Sequence, residues 1–244
     1  MAEGRIPDKL HSSAPLYAED CYLREFDAEV VMAGPRFAVL DRTAFYPESG
    51  GQPSDTGYLK SGDREIRVNK VMRRGGEIFH YLGGDVALHA QVHGIVDWEP
   101  RFFNMRRHTA EHLLTGLFEE AGAGPKVYSD MGSLEFQPSN LTDEVVRRVG
   151  DRFNEVVDNN FPVRIFYMDR GELDVSGDER KESFLEKIPK DVQRLRIVEI
   201  VGFTLTFCFG THVLRTGEIG RLAPLTLEEG RKGRKTVRFI LSQP

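Results

Sequence analysis

The sequence predicts an α+β protein in two parts: a small antiparallel β-barrel or sandwich over residues 1–97, and a two-layer α+β domain over residues 98–244. Three observations carry this. Short alternating segments divided by glycine turns fill residues 22–98. A helical period takes over just beyond Asp97-Trp98-Glu99-Pro100. From there to the C-terminus, helix-like and strand-like stretches intermix. A chain of 244 residues is long enough for two modest domains.

Residues 1–20, with Pro7 and Pro15, read as a poorly structured lead-in. Phe26/Ala28/Val30, Phe37/Val39, Ile66/Val68 and Val92/Val96/Trp98 each have the two-residue period of a half-buried strand. Gly34-Pro35, Ser61-Gly62-Asp63, Gly75-Gly76 and Gly83-Gly84 mark the turns between them. Within this region lies Phe45-Tyr46-Pro47-Glu48-Ser49-Gly50-Gly51-Gln52-Pro53. Its paired glycines suit either a tight turn or close backbone approach to another group. It is not a phosphate loop, because no Gly-Lys-Ser/Thr follows and no helix begins there.

The next element is the one that carries chemistry. At 100° per residue, Ala110, Leu113, Leu114, Leu117, Phe118 and Ala121 form one apolar stripe, and Gly122 ends the helix. His108 and His112, one turn apart, lie almost opposite that stripe, so the pair either faces solvent or looks into a cleft. Lys126–Tyr128 and Ser133–Phe136 are short and β-like. Thr142 caps a second helix whose stripe is Val145, Val149, Phe153, Val156 and Val157, closed by Pro162. Val163–Met168 reads as a strand, and residues 169–191 as a charged loop with a helical turn or two. Arg196–Val201 and Phe203–Cys208 form a hairpin about Gly202; Gly217–Leu222 and Thr236–Leu241 supply further strands.

In that hairpin, alternation sets Phe203, Leu205 and Phe207 on one face and Thr204, Thr206 and Cys208 on the other. Cys208 leaves on the polar side, and Gly210 lets the chain turn so that His212 points back. One thiolate and three imidazoles, offered as two pairs from a rigid helix and a strand end, suit a single zinc ion. The alternative is an inert buried cysteine with three unrelated histidines.

Cys21 and Cys208 do not make a disulfide framework, no apolar run is long enough to span a membrane, and the first residues lack a signal core. A reducing, cytoplasmic setting is expected. The net charge of −5 argues mildly against nucleic acid as partner. Local charge argues the other way: Arg231, Lys232, Arg234, Lys235 and Arg238 follow one another with no acidic residue between, and Arg101, Arg106 and Arg107 flank the start of the histidine helix. Solvated surface charge and an RNA contact both remain open for these residues.

Taken together, these residues resemble the free-standing alanyl-tRNA editing proteins, the AlaX family, relatives of the editing domain of alanyl-tRNA synthetase. His108-Thr-Ala-Glu-His112-Leu-Leu is similar to that family's His-Thr/Ser-x-x-His-Leu-Leu. Cys208-Phe-Gly-Thr-His212-Val with Thr216-Gly-Glu-Ile-Gly220 is similar to its Cys-Gly-Gly-Thr-His-Val and Thr-x-Glu-Ile-Gly. The glycine motif with Asp55-Thr-Gly57, and Gly132-Ser133 with Glu135-Phe136, also match in order. The likeness runs over about residues 16–241 and implies the medium-length form, with no adenylation domain.

The resemblance implies hydrolysis of mischarged Ser-tRNA(Ala), and of Gly-tRNA(Ala), at one zinc ion held by His108, His112, Cys208 and His212, with the tRNA(Ala) 3′ acceptor end as partner. It implies Thr109, Asp130, Gly132, Gly50 and Gly51 on the substrate side, Thr109 as a contact to the serine hydroxyl. A helix hydroxyl bonded to its own backbone is the alternative for Thr109. Glu111 is a candidate base, and Arg231, Lys232, Arg234 and Lys235 are candidate tRNA contacts. Phe209 stands where the family usually has glycine, and Asp130 near where synthetases carry glutamine. Two other readings stay open. His108-x-x-Glu111-His112 also fits the inverted zinc peptidases, with Glu111 as base and a downstream glutamate as third ligand. A non-catalytic tRNA-binding module with structural zinc is the other.

Overall fold

The computed structural model describes residues 13–124, 127–128, 131–136, 141–174 and 179–242. The chain divides into two compact units, Met1–Asn104 and Met105–Pro244.

In the first unit, β1 (Ala14–Pro15) leads into the four-residue α1 (Leu16–Glu19). Six strands then close a barrel: β2 (Glu25–Gly34), β3 (Phe37–Leu40), β5 (Gly57–Ser61), β6 (Arg64–Arg74), β7 (Glu77–Leu82) and β8 (Gln91–Val96). The order round it is β2-β3-β7-β6-β5-β8, while β4 (Arg42–Thr43) pairs with β1. Closure comes from β8, which is antiparallel to both β2 (Asp27 opposite His93) and β5 (Tyr58 opposite Ile95), so no sheet edge is left in the barrel. The alternation explains the packing. Phe26, Ala28 and Val30 point inward with Leu59, Val68 and Val92, while Glu25 and Asp27 are solvated.

The glycine motif is the connection between β4 and β5, and it is stitched at both ends. Tyr46 N donates to Asp55 Oδ2 at 2.6 Å and Asp55 N to Tyr46 O at 3.0 Å. At the tip, Ser49 and Gln52 exchange two backbone bonds of 3.2 and 2.9 Å across Gly50 and Gly51, whose φ values are 57° and 85°. Two successive positive φ angles make a tight two-residue turn that glycine adopts without strain. Added Cβ atoms would meet nothing there, so the glycines serve the backbone conformation rather than close packing.

The helix α2 (Trp98–Glu120) begins at Trp98, which therefore opens a helix instead of ending a strand. It ends at Gly122 (φ 75°), with Ala123 N donating to Phe118 O at 2.8 Å. In the second unit follow β9 (Val127–Tyr128), β10 (Ser133–Phe136), α3 (Asp143–Asn159), β11 (Val163–Asp169), α4 (Glu179–Lys187), β12 (Arg194–Ile200), β13 (Thr204–Phe207), β14 (Thr226–Glu229) and β15 (Lys235–Arg238). They build two antiparallel sheets, β11-β12-β13 and β14-β15-β10-β9. The hairpin about Gly202 (φ 87°) is present, with Ile197 opposite Phe207. Leu205 and Phe207 pack with Ile188, Leu195 and Ile197, the face that alternation assigned them.

Two expectations are corrected in detail. Val146, not Val145, joins Val149, Phe153, Val156 and Val157 in the buried stripe of α3, whose N-terminus Thr142 caps as expected. Residues 217–222 are not a strand: Thr216–Ile219 form a 3-10 turn held by Thr216 Oγ1, which donates to Val156 O (2.9 Å) and accepts from Phe161 N (2.8 Å). Strand β14 was not anticipated.

Candidate metal centre

Helix α2 brings His108 and His112 to one face, their ring centroids 5.0 Å apart. The end of β13 brings Cys208 and His212 to the same place. Cys208 Sγ lies 3.4 Å from both His108 Nε2 and His212 Nε2, and the His212 ring centroid is 4.3 Å from that of His108 and 4.6 Å from that of His112. One donor atom from each of the four lies within 4.8 Å of all the others. Ligands on one tetrahedral zinc, at ~2.3 Å for sulfur and ~2.0 Å for nitrogen, stand roughly 3.5 Å apart, so the spacing fits that ion.

Two further observations bear on the fit. Among the described residues, His112 Nδ1 is buried without a hydrogen-bond partner, an arrangement that costs stability unless something else satisfies it. The tautomer of His212 is also fixed. Thr109 Oγ1 gives its single proton to Met105 O at 2.8 Å, so at its 3.1 Å contact with His212 Nδ1 the ring must be the donor. The Nε2 lone pair of His212 therefore faces Cys208, as a metal ligand requires. Val213 N donates to the same Thr109 oxygen at 3.2 Å. With its proton and both lone pairs engaged, and no exposure, the Thr109 hydroxyl works as a support for the His212 turn.

Electrostatics keep the histidines neutral. Burial pushes His108 and His212 well below the usual imidazole range and His112 to about 4; the neighbouring imidazoles and the Arg196 guanidinium press His108 and His212 the same way, and Arg196 does so for His112. Neutral imidazoles are the ligand form. Polar residues beside the histidine pair are buried too, among them Thr109, Glu111 and Thr115, so this face of α2 is enclosed rather than a surface. The group is most open at His112 and Cys208.

The other anticipated residues are not among the four donors. Glu111 is buried next to the pair but is not part of the four-atom group. Gly132 accepts from Phe239 N at 3.0 Å; Asp130 lies outside the described residues. Gly50 and Gly51 form the exposed turn of the first unit. Phe209 extends outward, 43% exposed, so a side chain at this position is accommodated between the two ligands of the turn.

The basic residues are less free than the sequence suggested. Arg101 is fully buried against Asp55, and Arg106 donates to Ile219 O (2.8 Å) and Ser242 O. Across the β14–β15 hairpin, Lys235 meets Glu229 at 3.3 Å and Leu141 O at 2.7 Å, Arg238 meets Glu228 at 2.9 Å, and Arg234 stands 3.9 Å from Glu135. Arg231 and Lys232 remain exposed at the hairpin tip. Sequence reasoning missed Arg196 altogether. Its signal was there: it shares strand parity with Val198 and Ile200, an arginine on an apolar face.

Comparison with known proteins decides the family. Residues 12–100 match the model described as tRNA synthetases class II (A), and residues 195–240 that of the threonyl and alanyl tRNA synthetase second additional domain. The alanyl-tRNA editing protein AlaX-M of Methanosarcina acetivorans is 37% identical over 244 residues, covering 93% of this chain and 98% of the relative. The chain belongs to the AlaX-M family of alanyl-tRNA editing proteins. Its similarity to AlaX-M of Saccharolobus solfataricus is 33% identity, over 93% of this chain and 98% of the relative. It is also 36% identical to the alanine–tRNA ligase of Ignicoccus hospitalis, over 92% of this chain but only 25% of the ligase. No helix among the described residues is long and apolar enough to cross a membrane.

Proposed function

We propose that this AlaX-M family member hydrolyses the aminoacyl ester of mischarged tRNA(Ala), Ser-tRNA(Ala) foremost and Gly-tRNA(Ala) with it, at a site in residues 98–244 that holds one zinc ion through His108, His112, Cys208 and His212. The single observation that supports this best is the convergence of those four donors from two elements that are distant in sequence. The need for such an enzyme is physical. A pocket that accepts alanine rejects an added hydroxyl poorly, and a second, hydrolytic site restores fidelity.

Hydrolysis adds water across an ester that is already activated, leaving the free amino acid and the ribose hydroxyl. Positioning therefore matters more than a strong nucleophile. When bound, zinc supplies a fixed positive charge that stabilises charge developing at the reacting oxygens. The chain's own residues set the rest. His212 is held in one tautomer by Thr109, the imidazoles are kept neutral by burial and Arg196, and the His112/Cys208 edge is where the 3′ end enters. A shell of four protein ligands is closed, which suits an ion that organises the pocket. Because Thr109 already makes three hydrogen bonds, selection of serine over alanine falls to other polar groups at the open edge. Glu111, Asp130, Gly132, Gly50 and Gly51 stay candidates on the substrate side, and Glu111 is the candidate base.

The test is incubation with Ser-, Gly- and Ala-tRNA(Ala), with and without a chelator, beside a peptide substrate. Release of serine but not alanine, lost on chelation, is the expected result; peptide cleavage without ester hydrolysis would refute the reading. For tRNA contact the proposal centres on Arg231 and Lys232, with Arg234 and Lys235 partly balanced by glutamates. Reversing both tip charges (Arg231→Glu with Lys232→Glu) is expected to weaken tRNA binding and to lower the slope of log affinity against log salt by about 2. An unchanged slope assigns the tip to solvent.

A further inference from the structure

Placing an arginine on the buried face of a strand costs desolvation, so its partners reveal what it is for. Arg196 on β12 is 1% exposed, on the face it shares with Val198 and Ile200. One guanidinium nitrogen, Nη1, donates to Cys208 O at 2.7 Å and to Gly210 O at 2.9 Å, while the Arg196 carbonyl accepts from Cys208 N at 3.0 Å. Gly210 N in turn points at Cys208 Sγ from 3.4 Å. Three of these bonds thus run from one residue to the segment that carries two of the four donors.

We propose that Arg196 is a positioning residue of the metal centre: by bracing the Cys208 and Gly210 carbonyls it holds the turn in the one shape that aims Cys208 Sγ and His212 at the same point as the α2 histidines. The inference rests on the zinc reading above. It gives the turn a rigidity that does not depend on the residue at 209, where a phenylalanine extends outward without opening it. Thr109 secures the far end of the same turn through His212 and Val213, so the two clamps act on opposite sides of Gly210. A residue that merely fills the strand face would contribute to stability alone. A positioning residue must also change how the metal is held.

The test compares the full chain with its Arg196→Met and Arg196→Lys forms. Zinc affinity is read by competition with a chromogenic chelator. Cobalt(II) in place of zinc reports the shell through its visible bands and its sulfur-to-cobalt charge transfer; far-UV circular dichroism and thermal melting report the fold. Arg196→Met keeps the bulk without the donors and is expected to bind zinc roughly ten- to a hundredfold more weakly, with a shifted or weakened sulfur-to-cobalt band. Arg196→Lys keeps the charge but has a shorter reach, and is expected to fall between the two. A folded Arg196→Met with wild-type affinity and cobalt spectrum would overturn the proposal, even if its melting temperature falls. If that form does not fold, Arg196→Lys decides by the same two readouts. Failure of the unaltered chain to bind zinc or cobalt would instead refute the zinc reading itself.

Discussion

Replacing Cys208 with alanine is expected to lower the rate of Ser-tRNA(Ala) deacylation by a hundredfold or more while the protein stays folded. Loss of a supporting residue beyond the ligands typically costs roughly ten- to a hundredfold in metal affinity or activity, and loss of a ligand must exceed that. Cys208 is the one soft donor of the group, and it touches two of the three imidazoles. Removing it leaves three imidazoles to hold a divalent ion in a site most open at this very edge. The fold has reason to survive, because the barrel core runs from Tyr17 to Val96 and includes none of the four. The sheet around Leu195, Ile197 and Phe207 has its own apolar cluster. Deacylation rates and circular dichroism on the same preparation separate the outcomes. Lost activity in a folded protein fits a catalytic site, whereas collapse of the second unit fits structural zinc in a non-catalytic module.

The largest stability effect is expected in the first unit, at Asp55. The Arg101 side chain is fully buried and that of Asp55 is 1% exposed. Arg101 Nε lies 2.9 Å from each carboxylate oxygen, its Nη2 contacts Asp55 and Ala44 O, and its Nη1 donates to Cys21 O at 3.0 Å. Truncating Asp55 to alanine strands a guanidinium in the interior, which costs about 3–5 kcal/mol, whereas replacing both charges with apolar groups is often neutral. Asp55→Ala should therefore lower the melting temperature by about 10 °C, and Asp55→Leu combined with Arg101→Met should recover part of the loss, the remainder reflecting the partners that Tyr46 N and the Cys21 and Ala44 carbonyls lose. Equal destabilisation by the single and double substitutions would show that the pair's charge is not what matters. Asp55 also accepts from Tyr46 N at the base of the glycine motif, so hydrogen exchange in residues 46–55 should rise in the single substitution.

Much of the fold was legible because its signals are local. Alternation in β2 and β8, the glycine turns, the Thr142 cap and the Gly122 helix end each act within a few residues. The four donors were legible for a related reason: His108 and His112 are spaced by one helical turn, and Cys208 stands on the polar face of a strand. What escaped depends on partners remote in sequence. The run from Arg231 to Arg238 looked uniformly basic, but the hairpin lays Glu228 and Glu229 across from it, and β10 adds Glu135. Thr226–Glu229 lacks an apolar alternation of its own, since its strand form comes from pairing with β15. The polar face of α2 left solvent and cleft equally open, because one helix cannot announce what covers it. Thr109, which the family likeness placed against substrate, spends its hydroxyl on Met105, His212 and Val213. Arg196 was visible only as a parity violation, and its meaning needed the turn it braces.

The proposed centre requires four side chains to close round one ion, and zinc K-edge X-ray absorption on the purified protein tests that most directly. One zinc per chain, with a shell of one sulfur at about 2.3 Å and three nitrogens at about 2.0 Å, is the expected result, the sulfur vanishing in Cys208→Ala. A chain that takes up no zinc, or a shell built of oxygen with no sulfur, would contradict it.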